Sequence, residues 1–134
     1  MRDQVSVEVP GRICLMGDKV DLLGKPVIGM AINLMMRFDY ESLNDGMVEF
    51  YSHDTNERTQ FNLNNSAPQN IDLGYWSVLF ERLRDHIKEG FRLEVSSEIP
   101  IGAGLSTSAA VSIGFIKVMN EVYELGLSNY EIAE

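Results

Sequence analysis

The chain has 134 residues, enough for one domain with a core of its own. Hydrophobic residues make up 45% and charged residues 23%, an ordinary balance for a soluble globular protein. The net charge of −9 argues against a nucleic-acid or anionic-membrane surface, which needs a basic patch, but not against a small anionic substrate in a local pocket.

The first stretch, "QVSVEV", alternates with period two and predicts a half-buried strand, broken by Pro10-Gly11. "RICLMG" is short and apolar and predicts an inner strand. Its single cysteine, Cys14, is expected to be a buried thiol acting as a small hydrophobe. "DKVDLLGKP" reads as a polar loop. "VIGMAINLMMRFDYES" reads as a strand bent near Gly29, and Asn44-Asp45-Gly46 marks a turn into "MVEFYS". With "RTQFNL" after it, the first sixty or so residues predict an antiparallel meander. The N-terminus has no apolar leader region and no apolar run approaches ~20 residues. The expectation is a cytoplasmic protein with no membrane span.

"NNSAPQN" reads as a loop, after which the period changes. In "DLGYWSVLFERLRDHIKEG" the residues Trp76, Leu79, Phe80, Leu83 and Ile87 fall on one helical stripe, with Gly90 as the stop. The aromatics are expected to be core. "FRLEVSSEI" returns to strand, and a long, mostly buried helix runs from the alanines of "PIGAGLSTSAA" to near Gly126. Ser128 to Glu131 has the Ser-x-x-Glu form of a capping box and opens another helix. Because Glu134 follows three residues later, residues 1–134 are expected to be the N-terminal part of a longer protein, with a C-terminal domain outside this chain. Strands first and helices late indicate an α+β fold.

Two segments carry chemistry. In Pro100 to Ser108 (Pro100, Ile101, Gly102, Ala103, Gly104, Leu105, Ser106, Thr107, Ser108) the glycines permit a sharp turn and close approach of an anion. The hydroxyls stand at a helix start, where they can cap the first turn, and where free N–H groups and the helix dipole favour an anion. The residues alone favour a plain strand-to-helix turn, with a phosphate loop as the alternative. The spacing is that of neither a Walker A loop nor a Rossmann fingerprint. The second segment is Val9 to Ile32. There Asp18 and Asp21 are acceptor-only carboxylates on a loop, suited to sugar hydroxyls or simply solvated. Arg12 heads an apolar run, where its fixed charge calls for a carboxylate or phosphate partner.

"PIGAGLSTSAA" resembles the signature loop of the GHMP kinases, with Thr107 a departure that keeps a hydroxyl. "VPGRICLMGDKVDLLGKPVIGMAI" resembles the first motif of the same superfamily, with Asp18, Lys19 and Leu22 in place of the usual Glu, His and Tyr. The resemblance implies a two-layer α+β domain with a mixed, mostly antiparallel sheet and helices on one face, as in the second domain of ribosomal protein S5. It implies that Pro100–Ser108 wraps the ATP phosphates and that Ser108 helps hold Mg²⁺. It implies that Arg12 stabilises charge in phosphoryl transfer, and that Asp18, Lys19 and Asp21 meet the substrate. Lys19 is either solvated or in contact with the substrate.

Arg12 and Asp21 point to the galactokinase-like sugar branch, whereas Gly24-Lys25-Pro26 is shared with the mevalonate branch. The family's catalytic Asp lies tens of residues beyond the loop, so residues 1–134 alone are expected to be inactive. A mevalonate-type kinase, or a kinase of another sugar or uronic acid, is the alternative within enzymes. A non-catalytic sugar sensor with this fold is the alternative outside them. An RNA-binding or chaperone-like use of the fold sits poorly with the net charge of −9.

Overall fold

The computed structural model describes residues 1–68 and 74–134. The ends of two predicted segments, 69–70 of the loop and 72–73 before the first helix, lie outside the described residues.

Five strands form one sheet: β1 (Gln4–Met16), β2 (Ile28–Leu43), β3 (Met47–Ser52), β4 (Glu57–Asn62) and β5 (Gly90–Ser97), in the spatial order β1-β2-β5-β3-β4. Helices α1 (Gly74–Leu83), α2 (Thr107–Tyr123) and α3 (Asn129–Ala133) complete the described fold, with 3-10 turns at Val20–Leu23 and Arg84–His86. The fold is α+β with a mixed sheet, as expected. The period-two pattern explains why it has one covered face. Val7, Val9, Met36, Phe38, Tyr40, Val48, Phe50, Phe91, Leu93 and Val95 are buried, and they pack with Trp76 and Phe80 of α1 and Phe115, Val118 and Val122 of α2. Their neighbours in sequence, among them Ser6, Glu8, Arg37, Asp39, Glu41, Glu49, Arg92 and Glu94, stand on the opposite, polar face.

The meander expectation needs correction. β1 with β2 and β3 with β4 are antiparallel hairpins, but β2 and β3 are not neighbours. β5 enters between them, antiparallel to β2 and parallel to β3. The turn at Asn44-Asp45-Gly46 therefore changes place in the sheet instead of closing a hairpin. Gly90 begins β5 and does not end α1; a Cβ there would overlap the Met47 backbone, so the inserted strand requires glycine. Pro10-Gly11 does not divide β1 in two but marks a shift of register within one strand. "RICLMG" lies on an edge strand and is not an inner one, and Cys14 is exposed, its thiol directed to the Met16 carbonyl at 3.4 Å. α2 stops at Tyr123, three residues short of Gly126, and Glu124 takes the left-handed conformation there. The Ser128–Glu131 capping box forms as expected, with both reciprocal bonds present.

α1 is tied to the chain before it by one ion pair. Glu81 accepts the Ala67 N–H at 2.7 Å and meets Arg84 at 2.8 Å, while Arg84 also donates to the Leu63 and Asn65 carbonyls and lies over the Phe80 ring. The Arg84 bond, and then the Ala67 N–H, hold the Glu81 carboxyl below its ordinary value of 4.5. The folded state thus favours the ionised form. That stability is fully present above 4.5 and is lost as pH falls through the lower folded value. Glu81→Gln is expected to flatten the acid limb of stability, read as melting temperature against pH from 3 to 6. Parallel acid limbs in the two proteins would refute the link.

Candidate functional site

The stretch after β5 becomes a loop because Pro100 removes a donor and two glycines, Gly102 (φ 73°) and Gly104 (φ 71°), take the left-handed conformation. The Ala103 N–H closes a turn on the Pro100 carbonyl at 3.3 Å. The loop delivers Ser106 as the residue before α2, with Thr107 and Ser108 in the first turn.

Ser106 does not cap α2, contrary to the expectation. An N-cap serine normally has extended backbone and accepts an N–H of the first turn. Ser106 instead lies at φ 61°, ψ 41° and makes no side-chain cap bond; its carbonyl accepts the Ala110 N–H at 3.0 Å. A non-glycine residue held there costs about 1 kcal/mol. α2 also has no acidic residue in its first turn. Its N-terminal N–H groups and dipole thus have no counter-charge from the helix's own first turn. Ser128 before α3 is the comparison within the chain: extended (φ −72°, ψ 161°), it closes the capping box with Glu131, whose carboxyl the Ser128 N–H and hydroxyl hold low.

Arg12 reaches this loop from β1. Its backbone N–H donates to the Leu105 carbonyl at 3.1 Å, and its Nε donates to the Ser106 hydroxyl at 3.2 Å. Its stem runs beside Gly29 of β2, where an added Cβ would stand 3.4 Å from the Arg12 Cδ. Among the described residues Arg12 forms no ion pair. Arg12 is exposed, so water meets the cost of its charge and the expected need for a buried partner does not arise.

Asp18, Lys19 and Asp21 follow β1 and are all exposed. Lys19 (φ 67°) precedes the 3-10 turn, and Asp21 spends one carboxylate oxygen on the Leu22 N–H at 3.0 Å. None of the three bonds to the Pro100–Ser108 loop; Arg12 is the residue that joins the two predicted segments. Around them Leu15, Met16, Leu22, Leu23, Val27, Ile28 and Met30 are exposed.

A cavity of about 280 Å³ borders the other side of the loop. Ile101, Thr107 and Ser108 line it together with Phe50, Ser52, Asp54, Thr55 and Glu57 from β3 to β4, Trp76 from α1, and Val95 and Ile99 after β5. Trp76 is buried as expected for core, and its Nε1 has no acceptor among the described residues. The contribution of 50–57 was missed in the sequence, because that segment has no motif and reaches the loop only through the insertion of β5.

A glycine-rich loop, a helix start without a side-chain cap, an arginine with no ion pair among the described residues and an adjoining cavity meet here. Residues 74–134 match the family model described as the GHMP kinases N terminal domain. The mevalonate kinase of Methanocaldococcus jannaschii is 31% identical over 136 residues, covering 96% of this chain and 44% of that protein. The galactokinase of Pyrococcus furiosus is 31% identical over 126 residues, covering 92% of this chain and 35% of its own length. The crystal structure of the Methanococcus jannaschii mevalonate kinase superposes with a TM-score of 0.84 at 28% identity, over 96% of this chain and 43% of that one. The chain belongs to the GHMP kinases. It spans less than half the length of these relatives.

Proposed function

We propose that the chain is the nucleotide-binding part of an ATP-dependent kinase that phosphorylates a sugar hydroxyl, with galactose the first candidate acceptor. The observation that carries the reading is the open N-terminus of α2 behind a glycine loop to which Arg12 is bonded. Phosphoryl transfer asks for positioning and charge stabilisation more than covalent chemistry. Residues Pro100 to Ser108 receive the ATP phosphates on backbone N–H groups. The cavity beside Trp76 takes the base. Arg12 offers its remaining guanidinium donors to the transferred group. Asp18, Lys19 and Asp21 face the acceptor.

Among the described residues no cluster of His, Cys, Asp and Glu is able to hold a metal by itself. The exposed Ser108 hydroxyl fits a single oxygen ligand to Mg²⁺, with phosphate oxygens and water as the others. Bound there, Mg²⁺ would neutralise charge on the phosphates. We assign the proton-accepting Asp to none of residues 1–134. In this reading it comes from a C-terminal domain, since the relatives are more than twice as long. Turnover of galactose by residues 1–134 alone, in a coupled ADP-release assay, would sink that assignment.

Mevalonate is the second acceptor to test, because a mevalonate kinase and a galactokinase match at equal identity. Stabilisation of the protein with Mg·ATP by mevalonate and not by sugars, in a thermal-shift screen, would reverse the order. Trp76 is the single tryptophan of the chain and borders the cavity, so its fluorescence is expected to change on titration with Mg·ATP. A flat signal with no gain in melting temperature at millimolar Mg·ATP would remove the nucleotide assignment.

A further inference from the structure

Ser106 holds a backbone conformation that serine disfavours and gives up the cap that serine at this position normally makes. Its hydroxyl instead accepts from Arg12 Nε at 3.2 Å, while the Leu105 carbonyl accepts from the Arg12 N–H at 3.1 Å. The loop is therefore fastened at two consecutive residues to one residue of β1. Asp18, Lys19 and Asp21 follow the same strand. The hydroxyl cannot both cap α2 and reach Arg12 from this backbone. The bond to Arg12 thus keeps the first turn of α2 open and fixes the orientation of the guanidinium, whose other donors make no hydrogen bond among the described residues.

We propose that Ser106 is a positioning residue, which through its bond to Arg12 sets the phosphate loop and the guanidinium in register. The proposal rests on the kinase reading above and adds a role for Ser106 that backbone wrapping of phosphates does not require. The Arg12–Ser106 bond makes the hydroxyl, and not merely a residue tolerant of the left-handed conformation, the requirement at this position.

The test is made in the full-length protein with Ser106→Ala, Ser106→Gly, Arg12→Lys and the Arg12→Lys/Ser106→Ala double variant. Loss of one hydrogen bond at this partly exposed site is expected to speed amide exchange over Gly102–Ser108 about 5-fold without ligand. KM for Mg·ATP should rise about as much in Ser106→Ala, with kcat within about twofold. The double variant should be no worse than Arg12→Lys alone, since both changes break the same bond. Ser106→Gly relieves the backbone strain but lacks the hydroxyl, so it should resemble Ser106→Ala. Wild-type KM in Ser106→Gly, or additive losses in the double variant, overturns the proposal. So does unchanged loop exchange in both Ser106→Ala and Arg12→Lys, whether or not nucleotide binds. Faster exchange in both variants, in a protein whose wild type is blind to Mg·ATP, overturns the phosphate reading and keeps the Arg12–Ser106 tie.

Discussion

Replacing Gly114 by alanine is expected to destabilise the protein by about 2 kcal/mol, although alanine is the better helix former. Gly114 lies inside α2, where the exchange would gain about 1 kcal/mol from helix propensity alone. It faces Phe38 of β2, which is fully buried, and a Cβ on Gly114 would overlap the Phe38 ring. The ring is held by the sheet on one side and α2 on the other, so it has no free direction in which to yield. Overpacking of this kind costs about 1–3 kcal/mol and sometimes more, and here the upper end applies. The expected fall in melting temperature is roughly 5–10 °C. Phe38→Leu makes room for the methyl group. In that background Gly114→Ala should cost under about 0.5 kcal/mol, or stabilise. A double-mutant cycle by chemical denaturation reads the coupling directly. If Gly114→Ala costs the same in both backgrounds, the helix is not seated on Phe38. α2 also carries Thr107 and Ser108, so its height above the sheet sets where the loop ends. Gly114 is thus a determinant of site geometry far from any ligand.

That glycine illustrates what the sequence makes legible. Periodicity found β3, β4, β5, α1 and α2, because one buried face imposes a period of two or 3.6 whatever the neighbours are. The Ser128–Glu131 box was legible because capping is local. Order within the sheet was not. β5 separates β2 from β3 by pairing across more than forty positions, and the mark it leaves in the sequence is Gly90, which reads equally well as a helix stop. Cys14 failed for a related reason. An apolar run predicts burial only when something covers it, and β1 is an edge strand whose far end has nothing over it among the described residues.

The site divides along the same line. The glycine–hydroxyl loop and the Arg12 segment were legible one by one, and the chemistry of each was open until the resemblance joined them. Their contact was not legible, since Arg12 and Ser106 are 94 positions apart. Nor was the use of Ser106. Composition offers a capping serine, and the backbone at φ 61° turns it away from that use. The cavity lining at Ser52, Asp54, Thr55 and Glu57 carries no motif, because a wall needs shape more than particular residues.

Ser108→Asp is expected to abolish tight nucleotide binding while leaving the fold as stable or more so. Ser108 is the second residue of α2, exposed, in a first turn without an acid. A carboxylate there meets the positive end of the helix and should add about 0.3–1 kcal/mol of stability. If the ATP phosphates occupy the same helix end, the new charge opposes theirs at close range. A like-charge contact near 4 Å is worth about 4 kcal/mol at an effective dielectric of 20, less what salt screens, so affinity should fall by about 100-fold or more. Ser108→Asn, which removes the hydroxyl without adding charge, should lose about tenfold or less. Metal-free ATP and Mg·ATP are titrated separately by calorimetry, because a carboxylate that captures the metal would weaken the first and spare the second. Opposite signs for melting temperature and affinity are the signature of a helix end left bare for an anion. A Ser108→Asp protein that binds metal-free ATP as the wild type does would place the phosphates elsewhere than the start of α2.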